Sequence, residues 1–290
     1  LEFRRVLFRS DYGMDQMFAL VKQANFPYVS ANFTKVEGNT PVLEAYKIFE
    51  ANGKKIAFVG LSTPESITKS TPTYFMNEDN TAYVYGFCQD ATGEGVYAAA
   101  QAAIDAAKAE GADYVIIVGH MGIDEQSSPW MSTEVIANTT GLTAFIDGHS
   151  HTVINQMVED KDGNLVFHGQ TGTKLANIGV LKIDEEGNIE LELMSADEKV
   201  ADDPETDEYI AGIEAEFNEL LNSVVAHTDH DLTVNDPTTG ARAVRSAETN
   251  LGDLCADAYR SMFDADIAFV NGGGVRANIP TGDITFQQII

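Results

Sequence analysis

The chain has 290 residues, 44% of them hydrophobic, enough to bury a large core and, by length, to form two domains. Against 18 basic side chains stand 45 acidic ones, and the formal net charge of −27 repels nucleic-acid backbones and anionic membranes, which excludes polymeric nucleic acid as a partner. No apolar run approaches the roughly 18 to 20 residues of a membrane span, and a basic stretch followed by an apolar one, the mark of a signal peptide, is absent.

Residues 1–10, Leu-Glu-Phe-Arg-Arg-Val-Leu-Phe-Arg-Ser, read as the in-frame translation of a sequencing-library adaptor, a scar outside the fold. The native part is then expected to start near Asp11. The apolar ending from Thr285 to Ile290, without cap or polar tail, is expected to be cut as well, so that the chain is an internal fragment. Met14, Met17, Phe18 and Val21 share one face and predict a helix over 12–25, and a strand follows over 28–32. Residues 45–51 and 54–60 pair as strands around the turn Asn52-Gly53. The alanine-rich stretch 95–110 is a helix ended by Gly111.

That helix feeds Tyr114-Val115-Ile116-Ile117-Val118, a buried-strand pattern running into Gly119-His120. A short helix over 132–139 precedes a second such run, 143–147, which ends in Gly148-His149-Ser150-His151. A single histidine after a strand is an ordinary polar loop residue. Two strand-Gly-His endings in one α/β pattern, one of them doubled, point instead to a metal site. Imidazole is the commonest side-chain metal ligand, and the glycines are expected to open the turn.

Over 153–193 alternating segments broken by Asp162-Gly163-Asn164 and Glu186-Gly187-Asn188 read as a β meander. Acids dominate 184–219, where Lys199 is the only base. Asp203-Pro204 opens a helix with Ile210, Ile213, Phe217, Leu220, Leu221 and Val224 at helical spacing, either a domain connector or a peripheral helix. A new start follows: a turn region over 234–240, a helix over 247–263, and a buried strand over 265–270 ending in Asn271-Gly272-Gly273-Gly274-Val275-Arg276. The glycine triplet exposes backbone N–H groups to an anion and Arg276 offers a bidentate fork, although a plain hairpin turn fits as well. His227 and His230 beside Asp229 and Asp231 read as a solvated loop, His168 as structural, and Trp130 as loop packing. Cys88 and Cys255 match no CxxC spacing and leave a free pair or a single bridge open.

Taken together, Asp11-Tyr12-Gly13, the 28–32 segment, Gly60-Leu61-Ser62-Thr63-Pro64, Gly119-His120, Gly148-His149-Ser150-His151, Arg245 to Leu254 and Asn271 to Arg276 occur in an order that resembles the two-domain 5′-nucleotidase and UDP-sugar hydrolase family of calcineurin-like metallophosphoesterases. The resemblance implies a mixed α/β fold. Residues 11–200 would be the C-terminal half of a four-layer αββα metallophosphoesterase domain, 201–226 a connector helix, and 227–290 the start of an α+β substrate-binding domain. It implies two divalent metals, zinc or manganese, with His120 and His149 on one and His151 on the other. Asp11 would orient a catalytic histidine, while Arg245, Asn271, Gly273 and Arg276 would hold the substrate.

The implied activity is release of phosphate from nucleoside 5′-monophosphates, with nucleotide sugars or pyrophosphates as further substrates, in an extracytoplasmic protein of undetermined oligomeric state. A 2′,3′-cyclic-nucleotide phosphodiesterase with 3′-nucleotidase activity, a thiosulfohydrolase and a non-catalytic ligand-binding relative are the alternatives. The family's Asp-x-His, Gly-Asp and Gly-Asn-His segments, with the catalytic histidine, are absent. The 290 residues are therefore expected to bind metal weakly and to be inactive.

Overall fold

A computed structural model of the chain describes residues 13–195 and 201–290; Asp11 lies outside them. The fold is mixed α/β and divides into two compact units, the boundary falling between Glu198 and Lys199.

In the first unit, α1 (Met14–Gln23), β1 (Thr34–Lys35), β2 (Thr40–Pro41), β3 (Tyr46–Ala51), β4 (Lys54–Ser62), α2 (Ser66–Lys69), β5 (Tyr85–Gly86) and α3 (Glu94–Ala109) come first. They are followed by β6 (Tyr114–His120), α4 (Ser132–Ala137), β7 (Ala144–Ile146), β8 (Val153–Glu159), β9 (Leu165–Thr171), β10 (Asn177–Ile183) and β11 (Ile189–Ser195). The main sheet has the order β3-β4-β6-β7-β9-β8. Its four inner strands run parallel, and β3 and β8 close the edges antiparallel. The β3–β4 hairpin turns through Asn52 and Gly53, whose φ of 50° and 73° are the two left-handed residues a type I′ turn requires.

Buried runs of Val, Ile and Phe fill both faces, as inner parallel strands demand. On one face α3 lays its stripe of Val96, Ala100, Ala103, Ile104 and Ala107 over Val59, Val115 and Ile117. On the other, Phe58, Ile116 and Ala144 pack with Phe167 and with Leu181 of the β10–β11 ribbon. Helix, sheet and ribbon are thus stacked in that order among the described residues.

Two expectations for this unit change. Residues 28–32 form no strand; Val29 makes one bridge to Glu44. The segment is held by the Ser30 and Ala31 N–H groups, which donate to the Glu44 and Gly60 carbonyls (2.8 Å each), and by the Asn32 amide, which donates to the carbonyls of Ser62 (2.7 Å) and Phe87 (3.0 Å) while its oxygen accepts the Ser62 N–H (3.0 Å). The meander is likewise not continuous. Gly172, Lys174 and Leu175 all have positive φ and interrupt the ladder, which leaves β8–β9 in the main sheet and β10–β11 as a separate ribbon.

The second unit contains α5 (Pro204–Leu221), β12 (Val224–Thr228), α6 (Asn250–Met262), β13 (Gly282–Thr285) and α7 (Phe286–Ile289), around a small core of Leu232, Val234, Leu251, Ile279 and Ile284. Helix α5 has the expected start, with Asp203 accepting the Thr206 N–H at 2.8 Å, but it buries none of its residues. His227 is not in a loop: it sits in β12 opposite Asp283, with Nδ1 2.8 Å from that carboxylate. Residues 265–270, expected as a buried strand, form no strand and pair with none among the described residues. Cys88 and Cys255 are half-buried free thiols, each with its pKa raised by burial.

Candidate metal centre

Three parallel strands deliver the site. Register pairs Ser62 at the end of β4 with His120 at the end of β6, and Val118 with Ile146 of β7, so the segments leaving all three strands emerge at one edge of the sheet. The carboxyl ends of parallel strands are where open α/β sheets bind ligands. Backbone bonds hold these exits together: the Thr63 N–H donates to the His120 carbonyl at 3.0 Å.

The glycines before the histidines act differently from expectation. Gly119 lies inside β6 without a positive φ, and a Cβ there would sit 2.4 Å from Cε1 of the fully buried Phe145. Space, rather than turn formation, requires the glycine. The unusual backbone belongs to the histidines themselves, His149 at φ 88° and His151 at φ 57°. Such conformations are uncommon for non-glycine residues and cost about 1–3 kcal/mol, a strain that clusters at functional sites.

A buried carboxylate ties the two histidine segments to each other. Asp147 accepts the N–H groups of Met121 (2.9 Å) and Gly122 (3.0 Å), just past His120, and its own chain continues into Gly148-His149. Beneath it, fully buried His168 takes the Gln156 amide on Nδ1 (3.1 Å) and reaches Ser132 with Nε2 (3.0 Å), the structural role expected of it.

The geometry joins His120 to His149, with His149 Nδ1 3.3 Å from His120 Nε2. Two nitrogens at zinc–nitrogen distances of about 2.0–2.1 Å and a tetrahedral angle lie about 3.3–3.4 Å apart, so the pair is spaced as two ligands of one ion. His151 is exposed and does not complete a cluster of three with the pair among the described residues. Nor do the described residues gather three or more His, Cys, Asp or Glu side chains into a metal cage. The donor set fits a metal as a pair of imidazoles, not as a closed site.

Glu65, the residue after the Gly60-to-Pro64 motif, was not singled out by the sequence. Its carboxylate lies 2.8 Å from His149 Nε2 and accepts the Ser127 hydroxyl at 2.6 Å. The signal available was its place immediately beyond a buried strand, beside the two that end in histidine.

In the second unit, Arg245, Asn271 and Gly273 come together. The Gly273 N–H donates to Asn271 Oδ1 at 2.9 Å, and a Cβ on Gly273 would meet the Arg245 guanidinium at 3.0 Å. A Cβ on Gly272 would stand 2.1 Å from the Val244 carbonyl, which leaves glycine as the residue that fits. Arg276 is exposed, and its carbonyl accepts from Arg242, which also clamps the Val275 carbonyl. The nearby groove of about 220 Å³ is lined by Gly272 and Val275 but by none of the four expected substrate residues.

Comparison with known proteins agrees with this organisation. Residues 224–290 match the family model described as 5′-nucleotidase, C-terminal domain, and residues 9–170 match that of bacterial capsule synthesis protein PGA_cap, which fits a metallophosphoesterase part. The trifunctional nucleotide phosphoesterase protein YfkN of Bacillus subtilis is 27% identical over 91% of this chain and 18% of its own length. A 5′-nucleotidase of Vibrio cholerae is 25% identical over 97% of this chain and 55% of its own. The crystal structure of a 5′-nucleotidase precursor from Thermus thermophilus superposes with a TM-score of 0.70 at 23% identity, over 97% of this chain and 55% of that one. The chain therefore spans about half the length of the Vibrio and Thermus proteins. With the facing histidine pair at the sheet edge, the C-terminal match and these relatives in agreement, the chain belongs to the two-domain 5′-nucleotidase family.

Proposed function

We propose that the protein is a metal-dependent phosphohydrolase that releases phosphate from nucleoside 5′-monophosphates. The observation that carries this reading is the facing pair His120 Nε2 and His149 Nδ1, 3.3 Å apart at the carboxyl edge of a parallel sheet. Relatives named as 5′-nucleotidase and as nucleotide phosphoesterase support the substrate class, and a structural neighbour described as NAD nucleotidase supports extension to pyrophosphate-linked nucleotides. His120 and His149 would hold one divalent ion, zinc or manganese, and His151, by swinging inward, a second. When bound, such ions would supply a hydroxide at neutral pH and positive charge for the phosphoryl oxygens.

The chain's own residues would do the rest. Asp147 holds the segments after β6 and β7 at fixed separation. Arg245 and Asn271, at the Gly273 turn, would orient the phosphate or the nucleoside, since a guanidinium offers a planar fork to a phosphate and the turn offers backbone N–H groups. Arg276 would add charge complement. Residues 11–200, 201–226 and 227–290 would divide as metal-binding part, connector and substrate part. An extracytoplasmic address follows from the same kinship; no described helix is long and apolar enough to cross a membrane.

The test is phosphate release from adenosine 5′-monophosphate by the full-length protein in zinc or manganese, with His120→Ala and His149→Ala as controls. Each substitution is expected to lower the rate at least about 100-fold, the scale on which losing a metal's charge stabilisation acts. Turnover indifferent to both substitutions overturns the reading. The 290 residues alone, with a pair of imidazoles in place of a cage, are expected to show no hydrolysis above a His149→Ala control.

A further inference from the structure

We propose that Glu65 is the positioning residue of the metal centre, a carboxylate that fixes which nitrogen of His149 faces the ion. The inference rests on the reading of His149 as a ligand. Glu65 follows Thr63-Pro64 at the exit of β4, and its side chain is 13% exposed, against 17% for His149. Oε2 of Glu65 lies 2.8 Å from His149 Nε2 and accepts the hydroxyl of fully buried Ser127 at 2.6 Å; Lys69 Nζ approaches Oε1 at 3.8 Å.

The proton inventory then decides the tautomer. An ionised carboxylate has no proton to give, so Nε2 of His149 must carry the N–H that spans the 2.8 Å contact. As a metal ligand the imidazole is neutral and has one N–H. Nδ1 is therefore left with its lone pair, and Nδ1 is the nitrogen that faces His120 Nε2. Without Glu65 the ring is free to turn about its Cβ–Cγ bond or to move its proton to Nδ1, and either change removes the lone pair from the site. Glu65 is not itself a ligand of that ion, because the imidazole ring stands between its oxygen and the gap shared with His120. Ser127 holds the carboxylate in turn, so a chain of Ser127, Glu65 and His149 runs from a buried hydroxyl to the metal-directed nitrogen. A carboxylate behind a ligating histidine raises the basicity of the ligand and fixes its orientation, and its loss typically weakens metal binding 10–100-fold.

Two measurements on the 290-residue chain test this without reference to turnover: long-range proton–nitrogen NMR of the histidine rings in metal-free protein, and titration with zinc ion alone. The parent is expected to show His149 as the Nε2–H tautomer. Glu65→Ala should lose that tautomer preference and weaken zinc about 10–100-fold. Glu65→Gln, whose amide oxygen accepts the same N–H, should keep the tautomer and lose less affinity, and Ser127→Ala should also fall short of Glu65→Ala. If Glu65→Ala keeps both the tautomer and the affinity while His149→Ala loses zinc, the proposal is overturned and the metal reading stands. If His149→Ala binds zinc as tightly as the parent, both are overturned. Should Glu65→Ala fail to fold, the parent spectrum decides, since a His149 found as the Nδ1–H tautomer overturns the proposal by itself.

Discussion

The segments 114–118 and 265–270 read alike in sequence, each a short, mostly apolar run with a glycine within two residues of its end, and they fold differently. The first is β6, third in a six-stranded sheet, with Val115, Ile116 and Ile117 at most 4% exposed. The second forms no strand among the described residues, and Ile267 and Phe269 are 71% and 95% exposed. An apolar run is a demand for burial; a strand forms where neighbours meet that demand with a ladder and an opposing layer. In the first unit β4 and β7 flank β6, α3 covers one face, and Phe167 and Leu181 cover the other. Where these conditions are met, the strand ends become rigid enough to aim side chains. At 271–276 the aiming is done instead by close backbone contacts, Gly272 on the Val244 carbonyl and Gly273 under Arg245.

This contrast is sharpest for aromatic truncation. Phe145→Ala, fully buried against Gly119, is expected to destabilise the chain by about 3–5 kcal/mol in chemical denaturation. Phe269→Ala should fall within about 0.5 kcal/mol. Equal effects would break the distinction between the two runs. Next in size is Gly60→Ala in β4, where the new Cβ would stand 1.9 Å from the Val29 carbonyl oxygen; because backbone must move, about 1–3 kcal/mol is expected. Asp147→Ala leaves the N–H groups of Met121 and Gly122 without their buried acceptor and should cost about 1–3 kcal/mol. It should also loosen the His120–His149 spacing, visible as weaker zinc binding by Asp147→Ala than by an equally destabilised variant of α3.

Much of the first unit was legible in sequence because period and punctuation coincide with burial: the Asn52-Gly53 hairpin, the alanine-rich α3 and the two strands bearing histidines. The site was legible only as a set of histidines. That His120 and His149 face one another while His151 stands outside goes with left-handed backbone at 149 and 151, a conformation that histidine adopts more often than most residues but still too seldom to be read from sequence. Glu65 and Asp147 were missed because their roles come from contacts with residues 84 and about 25 positions away. The 28–32 segment misled for the opposite reason: its pattern is strand-like, but its backbone bonds stop at Ala31 and the Asn32 side chain takes over the contacts to Ser62 and Phe87.

The smallest expected effect concerns how the two units start the helices beside their sites. Asp90 binds the Thr92 hydroxyl at 2.6 Å and the Gly95 N–H at 2.6 Å at the entrance to α3. The Thr92 hydroxyl first, and then the Gly95 N–H, lower its pKa to about 2. At α6 the neutral Thr249 hydroxyl accepts the Gly252 N–H at 3.3 Å. Replacing either residue by alanine should cost about 1 kcal/mol near neutral pH, but the two should part company in acid. An aspartate of ordinary pKa near 3.9 in the unfolded chain and about 2 in the folded one binds more protons when unfolded between those values. Its contribution is therefore fully present above about pH 4 and is lost as pH falls through about 2. Measured by denaturation from pH 6 to pH 2, the gap between the parent and Asp90→Ala should close while that for Thr249→Ala stays level. A gap at Asp90 that is unchanged at pH 2 would mean that shape rather than charge anchors α3, and that the two helix starts work in the same way.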